Sequence, residues 1–288
     1  MIKRIVVPLD GSEAAEAVLP QVRRLIKGGS AELVLVRATL PMPADGFAAV
    51  DQGSIAEADA YVTSFAKKLK DEGIRARGIS RVGAAARTIL DVAEDERATL
   101  VALATHGRSG VARALLGSVA EAVLRKAPVP VLAVRPFWSY EVVTSRPEER
   151  PIRNVLVPLD GSENSMAVVP RAVELAKLTG ARVVLLHAPE PGGAWQSADG
   201  GTGEALRGLE IVARTFGKEG IATRTVVEPG DPASAILAQC RPNEIDLVAM
   251  ATHGRTGLAR LIVGSVTEKV LRSAEVPLLI VSTRPAGA

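Results

Sequence analysis

Cysteine, aromatic residues, long apolar runs and blocks of like charge are all scarce in this sequence, and each scarcity removes a class of function. Cys240 is the single cysteine among 288 residues, so an internal disulfide is impossible and a cysteine-built metal site is excluded. As a lone thiol on an expected helix it reads as a small core residue. Aromatic residues make up only 3%, which leaves few platforms on which bases could stack. The 35 basic and 32 acidic side chains are interspersed and leave a net charge of +3, without the basic block that nucleic acid would require. Nucleic acid is therefore not an expected partner. No stretch approaches the roughly 18 apolar residues that would span a bilayer, so no membrane partner is expected. The opening apolar run is too short for a signal peptide, and cytoplasmic residence is the expectation.

What is abundant is self-similarity. The segment Ile2-Lys-Arg-Ile-Val-Val-Pro-Leu-Asp-Gly-Ser-Glu13 returns as Ile152-Arg-Asn-Val-Leu-Val-Pro-Leu-Asp-Gly-Ser-Glu163, with eight of twelve positions identical. A second block, Ala104 to Val119, returns as Ala251 to Val266 with eleven of sixteen identical. The offset is 150 residues at the first block and 147 at the second, so the later copy is three residues shorter between them. A repeat of this length is a whole domain rather than a solenoid unit. Residues 1–136 form the first expected domain and 151–288 the second. The polar, proline-bearing stretch 137–150 reads as a linker.

Within each copy, short β-branched runs alternate with helical stretches. The first copy predicts strands at 2–8, 32–38, 74–82, 100–104 and 129–134, with helices at 12–27, 55–72, 84–94 and 118–126. The second predicts strands at 155–158, 182–188, 222–227, 247–251 and 277–281, with helices at 162–179, 204–219, 232–239 and 265–273. A long loop with Pro41, Pro43, Gly46 and Gly53 is expected after the second strand. This alternation calls for an α/β fold: two tandem, doubly wound, parallel five-stranded sheets of Rossmann-like or flavodoxin-like type, each with about four helices. The strands are continuous apolar runs, as befits sheets covered on both faces. Such a sheet places its ligand at the carboxyl ends of the strands, where the strand order reverses.

Three segments of each copy should meet there. The first ends strand one: Pro8, Leu9 and Asp10 before Gly11-Ser12, repeated as Pro158, Leu159 and Asp160 before Gly161-Ser162. Either the aspartates serve only turn and cap chemistry, or they offer a carboxylate to a ribose hydroxyl or a metal. The second segment follows strand four, from Thr105-His106-Gly107-Arg108 to Gly117-Ser118, and from Thr252-His253-Gly254-Arg255 to Gly264-Ser265. Glycines let backbone N–H groups approach a ligand, and a helix start adds unpaired donors with a partial positive charge, which suits a phosphate. His106 and His253 read as loop-ordering residues, and Arg108, Arg113, Arg255 and Arg260 as solvated charge. No second histidine accompanies either motif, and His187 has Arg37 at the equivalent place, so a histidine metal site or triad is not expected. The third segment lies around Ala38 and Ala188, where small residues leave room for a planar base.

In these motifs the sequence resembles the universal stress protein family. The family's ATP-binding members carry Gly-x2-Gly-x9-Gly-Ser/Thr after strand four and an aspartate after strand one. Here the spacing reads Gly107-x9-Gly117-Ser118 and Gly254-x9-Gly264-Ser265, but Ala104 and Ala251 stand where the first glycine would be. The resemblance, which covers nearly the whole chain, implies ATP as ligand, with or without Mg2+. It implies Pro8, Asp10, Pro158 and Asp160 near the ribose and phosphates, and Ala38, Leu103, Ala188 and Met250 beside the adenine. Ala104, Gly107, Gly117, Ser118 and Val119 would border the phosphates, as would Ala251, Gly254, Gly264, Ser265 and Val266. It further implies pairing of the two domains through their last strands, and a homodimer as a further association. There is no Gly-Lys-Ser/Thr element, so rapid hydrolysis is not expected. A stress-response sensor or regulator is the leading reading. The alternatives are an interaction module without nucleotide, and a slow ATPase or self-phosphorylating protein.

Overall fold

Three consecutive residues of the first strand, Ile5, Val6 and Val7, have no exposed surface at all, which is the signature of a strand covered on both faces. The computed structural model describes residues 2–26, 31–40, 42–44, 47–49, 52–105, 116–136, 150–189, 195, 202–240, 244–252 and 264–283. The chain divides into two compact units, Met1–Val22 with Gly29–Phe137, and Arg23–Gly28 with Trp138–Ala288.

In the first unit, strand β1 (Arg4–Pro8) leads to a short helix α1 (Glu13–Glu16), helix α2 (Val18–Ile26) and strand β2 (Glu32–Thr39). A small antiparallel hairpin, β3 (Met42–Ala44) and β4 (Phe47–Ala49), precedes helix α3 (Gln52–Asp71) and strand β5 (Ala76–Val82). Helix α4 (Ala85–Asp95), strand β6 (Leu100–Ala104), helix α5 (Ser118–Lys126) and strand β7 (Val131–Val134) complete it. The five long-range strands are all parallel, in the order β7-β6-β1-β2-β5. The order reverses between β1 and β6, where Val6 faces Val101.

The second unit repeats the plan. Strand β8 (Asn154–Pro158) is followed by α6 (Glu163–Met166), α7 (Val169–Thr179), β9 (Arg182–His187), α8 (Gly203–Lys218) and β10 (Thr223–Val227). Helix α9 (Pro232–Gln239), strand β11 (Leu247–Ala251), helix α10 (Ser265–Ser273) and strand β12 (Leu278–Val281) end it. Its strands are parallel in the order β10-β9-β8-β11-β12. No helix among the described residues is long and apolar enough to cross a membrane.

Two local features depart from the sequence reading. The helices expected at 12–27 and 162–179 are each interrupted, at Ala17 and after Met166. Pro20 and Pro170 stand in the first turns that follow, and each lacks the N–H that would bond the carbonyl four residues earlier. The proline that starts the longer helix therefore separates it from the short one. The hairpin β3–β4 also lies inside the segment expected to be loop, where two prolines and Gly46 masked the strand pattern.

Packing ties helices to the sheet at measurable cost to any change. Gly78 in β5 faces α3 so closely that a Cβ there would lie 2.7 Å from Val62 Cγ2 and 2.8 Å from the Val62 carbonyl carbon. At the amino end of the same sheet, Glu32 accepts from Arg4 and from Arg77, both at 3.0 Å, and Arg77 also pairs with Glu96. One carboxylate thereby links three neighbouring strands. Burial acts to raise the Glu32 carboxyl, but the hydrogen bonds from Arg77 and Arg4 outweigh it and hold the group below its ordinary value.

Both contacts can be probed by substitution. Gly78→Ala should destabilise the first unit by about 1–3 kcal/mol, because α3 must move away from β5; an unchanged urea midpoint would contradict this packing. A depressed folded value means that Glu32 contributes stability above its unfolded value and loses it as pH falls through the folded one. Glu32→Gln should therefore lower the melting temperature at neutral pH. The gap to the parent should close below roughly pH 4, and a gap independent of pH would refute the link.

Candidate functional site

The carboxyl ends of β1, β2 and β6 open on a cavity of about 320 Å³ in the first domain. A volume of this order is at the lower end for small-molecule sites. Its walls include Pro8, Asp10, Ala38, Leu103, Ala104, Gly117, Ser118 and Val119, which are eight of the nine positions expected in this copy. The ninth, Gly107, lies outside the described residues, as do His106, Arg108 and Arg113.

Asp10 reaches the cavity from a turn that its own carboxylate organises. Gly11 adopts φ 84°, a left-handed conformation that glycine alone takes without strain. The chain thereby folds back, and Asp10 Oδ1 accepts from the Ser12 N–H at 3.0 Å and from the Ser12 hydroxyl. The same hydroxyl accepts from the Ala15 N–H and so caps α1. Asp160, Gly161, Ser162 and Ser165 repeat this arrangement, with Gly161 at φ 80°. Turn chemistry and a place on the cavity wall are thus combined in one aspartate in the first domain.

The start of α5 is fixed by a pinched loop. The Thr105 N–H donates to the Val134 carbonyl at 2.8 Å, and the Gly117 N–H donates to the Thr105 carbonyl at 2.9 Å. The chain leaves β6 and returns to the same point, which sets the helix opening beside the strand end. Gly117 is the cap residue, and no side chain caps the helix. Its φ of −64° and ψ of 142° suit any residue, so the backbone conformation does not require glycine there. The second domain repeats the pinch through Thr252 and Gly264, at 2.9 Å and 2.7 Å, and Gly264 likewise caps α10 without a side-chain bond.

Other expected positions of the second domain fall at the corresponding places. Pro158 ends β8, Ala188 follows β9, Met250 and Ala251 end β11, and Ser265 and Val266 open α10. Gly254, His253, Arg255 and Arg260 lie outside the described residues. His187, at the position of Arg37, is buried, and its Nδ1 donates to the Leu159 carbonyl at 2.8 Å. It braces the Asp160 turn from behind, edge-on to Trp195. Cys240 is buried, and burial pushes its thiol up to about 12, as expected for an inert core residue.

Sequence reasoning missed the wall residues Ala15, Val36, Ala85, Ile89 and Ala120, and it placed Leu9 and Thr105 in the converging segments without giving them a role. Thr105 had a visible signal, since it sits inside the repeated block with Thr252 as its copy, and both are buried. Ala85 and Ile89 belong to α4, which packs against α5, and no motif marks them. The wall that results is mostly apolar, with Asp10, Thr105 and Ser118 as its polar members among the described residues.

Comparison with known proteins places this arrangement in a family. Universal stress protein Rv2005c of Mycobacterium tuberculosis is 30% identical over 206 residues, which are 67% of this chain and 64% of that protein. The match thus spans less than two thirds of that relative's length. Universal stress protein MJ0531 of Methanocaldococcus jannaschii is 30% identical over 138 residues, 45% of this chain and 81% of that one. The crystal structure of a universal stress protein from Archaeoglobus fulgidus superposes with a TM-score of 0.76 at 25% identity, covering 99% of this chain and 100% of that one. The universal stress protein family model matches residues 1–135 and again 151–282. With both halves matched, the chain belongs to the universal stress protein family.

Proposed function

We propose that this chain binds ATP at the carboxyl end of each sheet and acts as a stress-response sensor or regulator rather than as a turnover enzyme. The observation that carries the reading is the first domain's cavity, where Asp10, the small residue Ala38 and the uncapped start of α5 converge. The fit is chemical as well as spatial. A base needs an apolar slot, and the apolar wall residues Val36, Ala38 and Leu103 support placing it there. A ribose hydroxyl donates to a carboxylate such as Asp10. Phosphate oxygens accept from the N–H groups of Ser118 and Val119 and from the Ser118 hydroxyl, with the helix dipole adding to the attraction. Ala104, which stands where the family has a glycine, borders the same cavity.

Mg2+ would arrive on the phosphates. Among the described residues no group of three or more histidine, cysteine, aspartate or glutamate side chains is placed to hold a metal. Regulation would run through nucleotide-dependent conformation or association. Pairing of the domains through their last strands, a homodimer and cytoplasmic residence belong to the same proposal.

Isothermal titration of the full chain with ATP should show saturable binding. Gly117→Val with Gly264→Val should abolish it while leaving the melting temperature nearly unchanged, because the backbone angles at both glycines accept valine. Undiminished affinity in the double variant would refute the phosphate assignment. Absence of binding to the unaltered chain would refute the function.

A further inference from the structure

The two domains differ in charge beside the opening of their last helices. Helix α9 is capped by Asp231, whose Oδ2 accepts from the Ser234 N–H at 2.9 Å and the Ser234 hydroxyl at 2.8 Å. Asp231 Oδ1 faces Lys269 Nζ of α10 at 3.3 Å. At the 147-residue offset the first domain has Ala84 and Ala122, two methyl groups, and Ala84 caps α4 without a side-chain bond.

The position of the ammonium is set from two sides. Lys269 follows Ser265 by four residues on α10, and both are exposed. Residues so spaced share a face, and helical side chains lean toward the amino end, so Lys269 is carried toward Ser265. On its other side stands the start of α9, at Asp231 and Pro232. The counterparts of Ser265 and Pro232 are Ser118 and Ala85, and both border the first domain's cavity. The second domain therefore has a cation paired at the start of α9 and one helical turn from Ser265, two positions whose equivalents are cavity wall, and the first domain has alanine there.

The ion pair is easily exchanged. Its side chains are 63% and 46% exposed, so water competes for both charges. Glu268, the nearest acid in sequence, is engaged by Arg272. When Lys269 leaves, Asp231 keeps its two bonds from Ser234 and its role as cap. A phosphate oxygen at the α10 opening offers the ammonium a charge-assisted bond in return.

On the reading that the second domain holds a nucleotide, we infer that Lys269 is its specificity-determining residue for polyphosphates: it leaves Asp231 for a phosphate oxygen. The second site thereby distinguishes ATP from adenosine by a side-chain charge whose counterpart in the first domain is Ala122.

The test uses the full chain with Gly117→Val, which leaves the second site to be titrated with ATP and with adenosine. Adding Lys269→Ala should weaken ATP roughly fivefold, the scale of an exposed charge pair, and leave adenosine unchanged. Lys269→Arg should retain ATP affinity, and the loss caused by Lys269→Ala should shrink at high salt. Equal ATP affinity with and without the lysine would overturn the inference while leaving nucleotide binding intact. Absence of ATP binding to the second site would overturn it too, and absence from the unaltered chain would remove the functional reading itself.

Discussion

Gly117 opens a helix with nothing on its own side chain to cap it, and that single vacancy of bulk organises the candidate site. The first turn of any α-helix carries N–H groups with no intrahelical acceptor. Most helices answer this need with a serine, threonine, aspartate or asparagine, as α1 does through Ser12 and α9 through Asp231. Helix α5 and its copy α10 do not, although Ser118 and Ser265 stand one residue away. Starts without a side-chain bond also occur at α4, α7 and α8; the start of α5 is proposed as the anion site because its first residues line the cavity.

The surrounding architecture serves to hold that opening still. Parallel strands deliver their carboxyl ends to one side of the sheet, and the reversal of order between β1 and β6 parts the flanking connections there. The pinch through Thr105 fixes where α5 begins, and the Gly11 turn fixes where Asp10 points. Asp10 stands on the same cavity wall as the positive end of α5. That polarity suits a ligand with hydroxyls at one place and phosphate at another. Duplication then supplies a second opening with altered charge, since Asp231 and Lys269 occupy places held by alanine in the first domain.

Much of this was legible in the residues. Continuous apolar runs located the central strands, because a strand buried on both faces cannot alternate, and Leu100–Ala104 and Leu247–Ala251 match their expected bounds; β5 and β10 carry polar residues and are only partly buried. The starts of α5 and α10 were legible from Gly-Ser at the end of the repeated glycine-containing loop after strand four. Pro20 and Pro170 were visible but underweighted, since one missing N–H is enough to split a helix near its start. Alanine and isoleucine on α4 carried no mark of their place on the cavity, because wall membership depends on which helix lies beside which. Family resemblance could supply roles but not the Asp231–Lys269 pair, which is a property of this chain's second copy.

Isotope-edited nuclear magnetic resonance of the labelled full chain reads directly whether the amides of Ser118 and Val119 meet phosphate, the contact on which the proposed role rests. Addition of ATP should move the Ser118 and Val119 signals most, with Ser265 and Val266 following in the second domain. ATP-induced shifts that spare these four amides would contradict that role.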